Sequence, residues 1–323
     1  MASRSVPVSC TLFMTDKCNF KCPFCRRAVV GVKSSREMTI DTVQKLSSLY
    51  PSIRSFSIAG LGEPTLCSDF VDIVNFLKKK GRHVGVITNG SNLGPILSLT
   101  YQPDYTSVSL YGYDNQSYLA YAGVAAYNKV VEGFLKLKKS LRNVGFSYIL
   151  SRTNFRDLDN ILSLCDDLRP DFLHLVNYLA YDPSNPEDVA KLVTVKDTDI
   201  IKYVNNRCRH RGYAIVRPTY VDFDKPSFCC NSYDYKLNLD GEGNVGGCLR
   251  QIPPSDLFGN IFKDNDAYNS NEMQRLRRMV HKKLHPHKEC RLCFGNWVRT
   301  RKYRELMRWI LMNWLNRRIP LSA

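Results

Sequence analysis

Long apolar runs are missing from this chain: no stretch approaches the length that a membrane span needs. A secretory opening is missing too, because Met1 to Val8 is short and mixed in character. Together these absences imply a cytoplasmic setting, where cysteines stay reduced and bind metal more often than they pair. Low-complexity tracts and internal repeats, beyond an alternation of strand and helix patterns, are absent as well. Acidic residues are in short supply, with 30 Asp and Glu against 46 Lys and Arg, a net charge of +16. The shortfall is local. Residues 271–323 hold 14 Lys and Arg against Glu272, Glu289 and Glu305, so they carry +11 of that charge. Such a segment attracts nucleic acid, phosphates or another anionic partner, or is simply a solvated basic face.

What is present is an ordinary globular composition: 323 residues, 44% hydrophobic and 24% charged, enough for one large domain and a smaller one. Apolar runs at Val8 to Met14, Ser55 to Ala59, His83 to Thr88, Thr106 to Tyr111, Phe146 to Leu150 and Phe172 to Val176 read as strands. Helical patterns at Thr39 to Leu49, Phe70 to Lys80, Tyr127 to Leu141 and Asp157 to Leu168 lie between them. Repeated strand–helix units imply a parallel sheet with right-handed crossovers. From about Tyr220 the pattern changes to cysteines, glycines and short strands, and Phe294 to Ala323 reads as helical and basic. The expected domains are 1–219, 220–296 and a basic amphipathic helix over 297–323.

Twelve cysteines fall into groups. Cys18, Cys22 and Cys25 form C-x-x-x-C-x-x-C. Three thiolates packed so closely can hold three irons of a [4Fe–4S] cluster and leave the fourth iron open. The same spacing admits a zinc knuckle, or a redox disulfide between Cys22 and Cys25. The segments downstream of the motif separate these readings. Ligands of parallel α/β folds sit at the carboxyl ends of strands, and Gly60-Leu61-Gly62-Glu63-Pro64, Thr88-Asn89-Gly90, Ser109-Leu110-Tyr111-Gly112 and Ser151-Arg152-Thr153-Asn154 all fall there. With these motifs in this order the chain resembles the radical S-adenosylmethionine (SAM) superfamily.

The resemblance implies an α/β fold with a partial (β/α)6 barrel. It implies that Cys18, Cys22 and Cys25 bind a [4Fe–4S] cluster whose open iron takes SAM. It also implies SAM contacts from Phe24, Gly62, Glu63, Asn89, Ser109 and Arg152, Phe24 lying against the adenine. Leu61 departs from the family's Gly-Gly-Glu-Pro at that position. The chemistry implied is reductive cleavage of SAM to a 5′-deoxyadenosyl radical that takes a hydrogen atom from a substrate. Such chemistry in turn implies a flavodoxin- or ferredoxin-type electron donor.

A second group comprises Cys229, Cys230, Cys248, Cys290 and Cys293. Cys290 to Cys293 is a C-x-x-C knuckle. Cys230 and Cys248 flank an expected hairpin whose Asp240-Gly241 is a good turn. The group resembles the twitch domain, a half-size SPASM domain and a small Cys-rich α+β unit. It implies a second, auxiliary [4Fe–4S] cluster on Cys230, Cys248, Cys290 and Cys293. Four cysteines suit zinc equally well, and Cys229 competes with Cys230. No cysteine lies beyond Cys293, so a third cluster is not expected. A fully ligated auxiliary cluster accepts an electron, which favours an oxidative outcome such as dehydrogenation or cross-linking.

Three substrate classes stay open: a peptide, a small molecule, or a nucleobase in DNA or RNA held by the basic segment. Only nine residues precede Cys10, and no separate leader-binding domain is expected. A zinc-containing nucleic-acid-binding protein is the non-enzyme alternative.

Overall fold

The computed structural model describes residues 5–30, 32, 36–223, 232–248, 258–285, 290, 292 and 293. In chain order the elements are β1 (Ser9–Phe13), α1 (Arg26–Val30), α2 (Ile40–Leu49), β2 (Ser55–Ala59), α3 (Phe70–Lys79), β3 (His83–Thr88), α4 (Gly94–Leu97), β4 (Tyr105–Leu110), α5 (Asn115–Ala122), α6 (Tyr127–Ser140), β5 (Val144–Leu150), α7 (Leu158–Leu168), β6 (Phe172–Asn177), α8 (Pro186–Ala190), α9 (Thr198–Arg207), β7 (Ala214–Val216), α10 (Ser232–Tyr235), β8 (Lys236–Leu239), β9 (Val245–Gly246) and α11 (Asn271–His281).

Local chemistry explains these boundaries. Thr39 caps α2, its side chain accepting from Thr42 N–H at 3.3 Å, a contribution of about 1 kcal/mol. Asp72 stands in the first turn of α3 and Lys78 and Lys79 in its last, each on the side that suits the helix dipole. The strands alternate. Phe56, Ile58, Val84, Val86, Val108, Leu110, Phe146, Leu173 and Leu175 are buried in one core with α2, α3, α6 and α7. Their neighbours Ser57, Ser109, Ser147 and His174 lie on the opposite face of the sheet and are less buried. Cys10, Cys67, Cys165 and Cys208 belong to the core.

Among the described residues the strands form one sheet in the order β7-β6-β5-β4-β3-β2-β1-β8-β9. All neighbours are parallel except β8 and β9. This is the expected α/β fold with a parallel-dominated sheet. The sequence pattern did not reveal the place of β8. That strand comes from the cysteine-rich segment, yet it pairs with β1 in parallel, Thr11 opposite Asn238, and so extends the main sheet. The expected hairpin is present, with Asn238 opposite Gly246 and Leu239 opposite Val245. Its turn differs from the expected one: Gly243, not Gly241, takes the left-handed conformation, with φ of 81°.

In the described part of the basic segment two arginines are engaged within the protein. Arg277 in α11 is buried, 3% exposed, and donates to Tyr233 O, Tyr268 O and Asn269 Oδ1 at 2.6–2.8 Å. Arg275 pairs with Glu272. The expected helix over 297–323, and Cys229 and Cys230, lie outside the described residues.

Candidate functional site

Strand β1 runs directly into the cysteine loop, which two neighbouring strand ends hold in place. Gly62 N–H donates to Thr15 O at 3.0 Å and Glu63 N–H to Lys17 O at 2.8 Å. Gly62 is required for this approach: a Cβ there would stand 2.0 Å from Lys17 O and 2.6 Å from Thr15 O. The glycine therefore serves the approach of loop backbone to strand end. On the far side, Asn19 Nδ2 donates to Ser91 Oγ at 2.7 Å, and Asn89 Nδ2 donates to Asn19 Oδ1 at 2.9 Å.

Within the loop, Phe20 N–H points at Cys18 Sγ from 3.4 Å, and Asn89 Nδ2 lies 4.0 Å from the same sulfur. Burial, then the nearby Cys25 and Cys18, push the Cys22 thiol up to about 12. Burial also raises Cys18. Cys22 is buried and Cys18 and Cys25 partly exposed in one short loop, so as thiolates they repel one another unless positive charge joins them. The donor set and its electrostatics thus fit an iron–sulfur cluster. Among the described residues no three His, Cys, Asp or Glu side chains gather closely enough to hold one metal ion. A cluster asks for something else, three thiolates each facing a separate iron.

Glu63 is 2% exposed. Its Oε1 accepts from Thr65 N–H, Thr65 Oγ1 and Thr88 Oγ1 at 3.2, 2.8 and 2.7 Å. Its Oε2 accepts from Asn89 N–H at 2.6 Å. Burial pushes its carboxyl up and these bonds oppose the shift. Here the side chain acts as a brace joining the ends of β2 and β3, with Oε2 as its less occupied oxygen.

A cleft at the carboxyl ends of β4, β5 and β6 encloses about 650 Å³, open mouth included. Its walls carry Phe24 from the cysteine loop, Tyr111, Tyr121 and Tyr178, with Ser151, Thr153, Asn154 and Lys191 as polar groups. Phe24 and Tyr111 stand 5.7 Å apart at their ring centres. Tyr111 also packs against Phe20 of the cysteine loop, with ring centres 6.0 Å apart. Cysteine loop and cleft are therefore one continuous site. The turn after β5 is set by Asn154, whose Oδ1 accepts from Ser151 N–H at 2.7 Å.

The structure turns Arg152 away from this cleft. Its Nε and Nη2 bind Asp197 at 2.9 and 2.8 Å, and Nη1 donates to Ala190 O at 3.2 Å. Ser151, Thr153 and Asn154 take its place on the wall. Burial alone would raise the Asp197 carboxyl, but bonds from Arg152 and Thr194 outweigh it and hold it low. This pair's stabilisation is therefore present above the ordinary carboxylate range and lost as pH falls through the lowered value. Arg152→Ala is expected to cost about 1 kcal/mol in a urea titration near neutral pH and to leave SAM affinity within about twofold of wild type. A large loss of SAM affinity would return Arg152 to the cleft.

Tyr178 and Lys191 were not singled out in the sequence. Tyr178 comes directly after β6, so the strand-end rule could have found it; Lys191 belongs to a loop and gave no signal. Tyr178 donates to Asp188 Oδ1 and packs with Ala180 and Leu292, the latter inside the Cys290–Cys293 knuckle. The knuckle thus borders the wall that carries Phe24. Cys290 is buried and Cys248 and Cys293 are partly exposed.

Comparison with known proteins agrees with this geometry. The family model described as Radical SAM superfamily matches residues 12–165. A protein of Sulfurisphaera tokodaii named Probable GTP 3′,8-cyclase is 30% identical over 267 residues, 76% of this chain and 82% of that one. A protein of the same name from Sulfolobus acidocaldarius is 25% identical over 290 residues, 83% of this chain and 89% of that one. The fold is similar to Streptococcus suis SuiB bound to precursor peptide SuiA, with TM-score 0.68 and 14% identity, over 92% of this chain and 74% of that one. It is also similar to anSMEcpe with bound AdoMet and Cp18Cys peptide, with TM-score 0.64 and 17% identity, over 96% and 98%. At these identities the two structures speak for the fold alone.

Proposed function

The chain belongs to the radical SAM superfamily of enzymes, and from that premise we propose that it takes a hydrogen atom from a small, anionic, purine-bearing substrate held in the β4–β6 cleft. Membership implies one [4Fe–4S] cluster, SAM, an electron donor and a substrate, and it sets aside the non-enzyme reading. In our reading Cys18, Cys22 and Cys25 hold that cluster. When bound, it supplies the electron that cleaves SAM to methionine and a 5′-deoxyadenosyl radical. The chain's own residues orient the reactants and keep water and stray hydrogen donors away. Gly62 and Glu63 set the loop, Asn89 approaches Cys18, and Phe24 and Tyr111 line the path from cluster to cleft.

The observation that carries this reading is Phe24. It sits between two cluster cysteines in sequence and on the cleft wall in space. The substrate class draws support from the sequence relatives, named for a GTP reaction, and from the wall chemistry. Aromatic rings suit a purine, while Lys191 beside Tyr178, 5.9 Å from its ring centre, suits an anion. We further infer a twitch-like unit over 220–296, with an auxiliary [4Fe–4S] cluster on Cys230, Cys248, Cys290 and Cys293. The knuckle's packing beside Tyr178 supports a place for two of those cysteines next to the cleft. In this reading the domains stay divided at 219 and 296, and the electron donor is of flavodoxin or ferredoxin type.

The test is substrate-dependent cleavage. Anaerobically reconstituted protein is reduced with SAM, and 5′-deoxyadenosine is measured with and without GTP. GTP is expected to raise its formation at least about tenfold, with deuterium moving from ribose-labelled GTP into the 5′-deoxyadenosine. SAM cleavage that a peptide stimulates and GTP does not would move the substrate to the peptide class.

A further inference from the structure

The turn between β8 and β9 lies against residues 36–38, across 204 residues of sequence at Arg36 and Asp240, and through them reaches the cysteine loop. The contact is built in layers. Residues 14–16 and 36–38 form a short antiparallel ribbon. In it Asp16 N–H donates to Arg36 O at 3.1 Å, Met38 N–H donates to Met14 O at 2.7 Å, and Thr15 bridges Glu37. Lys17 and Glu37 pair at 2.9 Å on its outer side. The hairpin turn closes on this ribbon so tightly that a Cβ on Gly241 would stand 2.3 Å from Glu37 O.

Arg36 occupies the join. Its Nε donates to Asp16 Oδ2 at 2.8 Å and its Nη1 to Asp240 Oδ2 at 3.1 Å. All three side chains are close to buried, at 10%, 7% and 8% exposure, while Glu242, 3.7 Å from the guanidinium, is 57% exposed. Asp240 also organises its own turn, its Oδ1 accepting from Glu242 N–H and Asn244 N–H at 3.0 and 2.9 Å. Asp16 stands two positions before Cys18. A single guanidinium thus neutralises one carboxylate from the cysteine loop and one from the cysteine-rich segment.

We propose that Arg36 is a positioning residue that couples the β8–β9 turn, through Asp240, to the cysteine loop, through Asp16, so that the integrity of the hairpin sets how firmly the first cluster is held. The charges give an order of effects. Without Arg36 two nearly buried carboxylates both lose the guanidinium they share, the largest loss. Without Asp240 the guanidinium keeps Asp16, a milder loss. Removing both at once leaves one buried carboxylate, Asp16, without that guanidinium instead of two, which is milder than losing Arg36 alone. Lysine at position 36 keeps the charge and loses the fork that spans two carboxylates.

The experiment uses full-length, anaerobically reconstituted and reduced protein. The paramagnetic signal that changes when SAM is added belongs to the cluster with an open iron, and its loss is tracked during challenge with EDTA. Arg36→Leu is expected to speed the loss about thirtyfold and Asp240→Ala about tenfold, while Glu242→Ala leaves it unchanged. Arg36→Lys is expected to fall between wild type and Arg36→Leu, and Arg36→Leu/Asp240→Leu to be slower than Arg36→Leu alone. Should Asp240→Ala fail to fold, Asp240→Asn keeps the shape of the turn and is expected to give about threefold. Wild-type loss rates in the Asp240 variants, or a double variant as fast as the product of the singles, would overturn the proposal. It rests on Cys18, Cys22 and Cys25 holding that cluster. Failure of that reading shows separately, as a wild type with no SAM-responsive signal, and takes the proposal down with it.

Discussion

Changing Cys18, Cys22 and Cys25 together to alanine is expected to abolish SAM cleavage and to lower bound iron from about eight atoms per chain to about four. The loss should be complete because, in our reading, each thiolate holds a different iron. Burial first, and then the nearby Cys25 and Cys18, raise the Cys22 thiol, so the three act on one another. The fold should survive, since Cys18 and Cys25 are only partly buried and the loop is also tied by Gly62, Glu63 and Asn19. Iron, acid-labile sulfide and zinc counted in wild type and variant check this. Four irons falling to none, with zinc retained, would make the C-terminal cysteines a zinc site and remove the auxiliary cluster from our reading.

The second large effect is expected at Gly62. Alanine there forces its Cβ to within 2.0 Å of Lys17 O, an atom of loop backbone that cannot swing aside as a side chain does. Overpacking of this kind costs about 3 kcal/mol. Relief comes by lifting residues 15–17, which also breaks the bonds from Gly62 N–H and Glu63 N–H. Gly62→Ala should therefore lose the SAM-responsive cluster signal while keeping most of its secondary structure by circular dichroism. Gly94→Ala, at a position with no atom within 4 Å, is the matched control and should behave as wild type. A Gly62→Ala protein with normal SAM cleavage would show that the loop does not need this approach.

Much of the fold was legible from local pattern. Strands β2 and β3 fall where apolar alternation places them, and α2 begins at the Thr39 cap, because period and capping are short-range properties. The order of the strand-end motifs was legible for a related reason: a parallel strand–helix repeat delivers every strand's carboxyl end to the same edge of the sheet. The roles of Glu63 and Arg152 were less visible. A buried carboxylate that braces two turns and an exposed one that meets a cation look alike in sequence, and Arg152 turns away because Asp197, distant in the chain, offers two oxygens.

The sequence by itself carried the resemblance to the radical SAM superfamily: three cysteines at that spacing, followed in order by the Gly-Glu-Pro and Thr-Asn-Gly turns, are legible because order and spacing are covalent facts, whereas the spacing alone also admitted zinc or a disulfide. Only the tertiary structure decided that β8 joins β1, that Phe24 meets Tyr111 at the cleft, and that Arg36 binds Asp16 to Asp240. Those depend on which distant segments share buried space. Burial and charge pairing settle that across the whole chain, beyond the reach of any local motif.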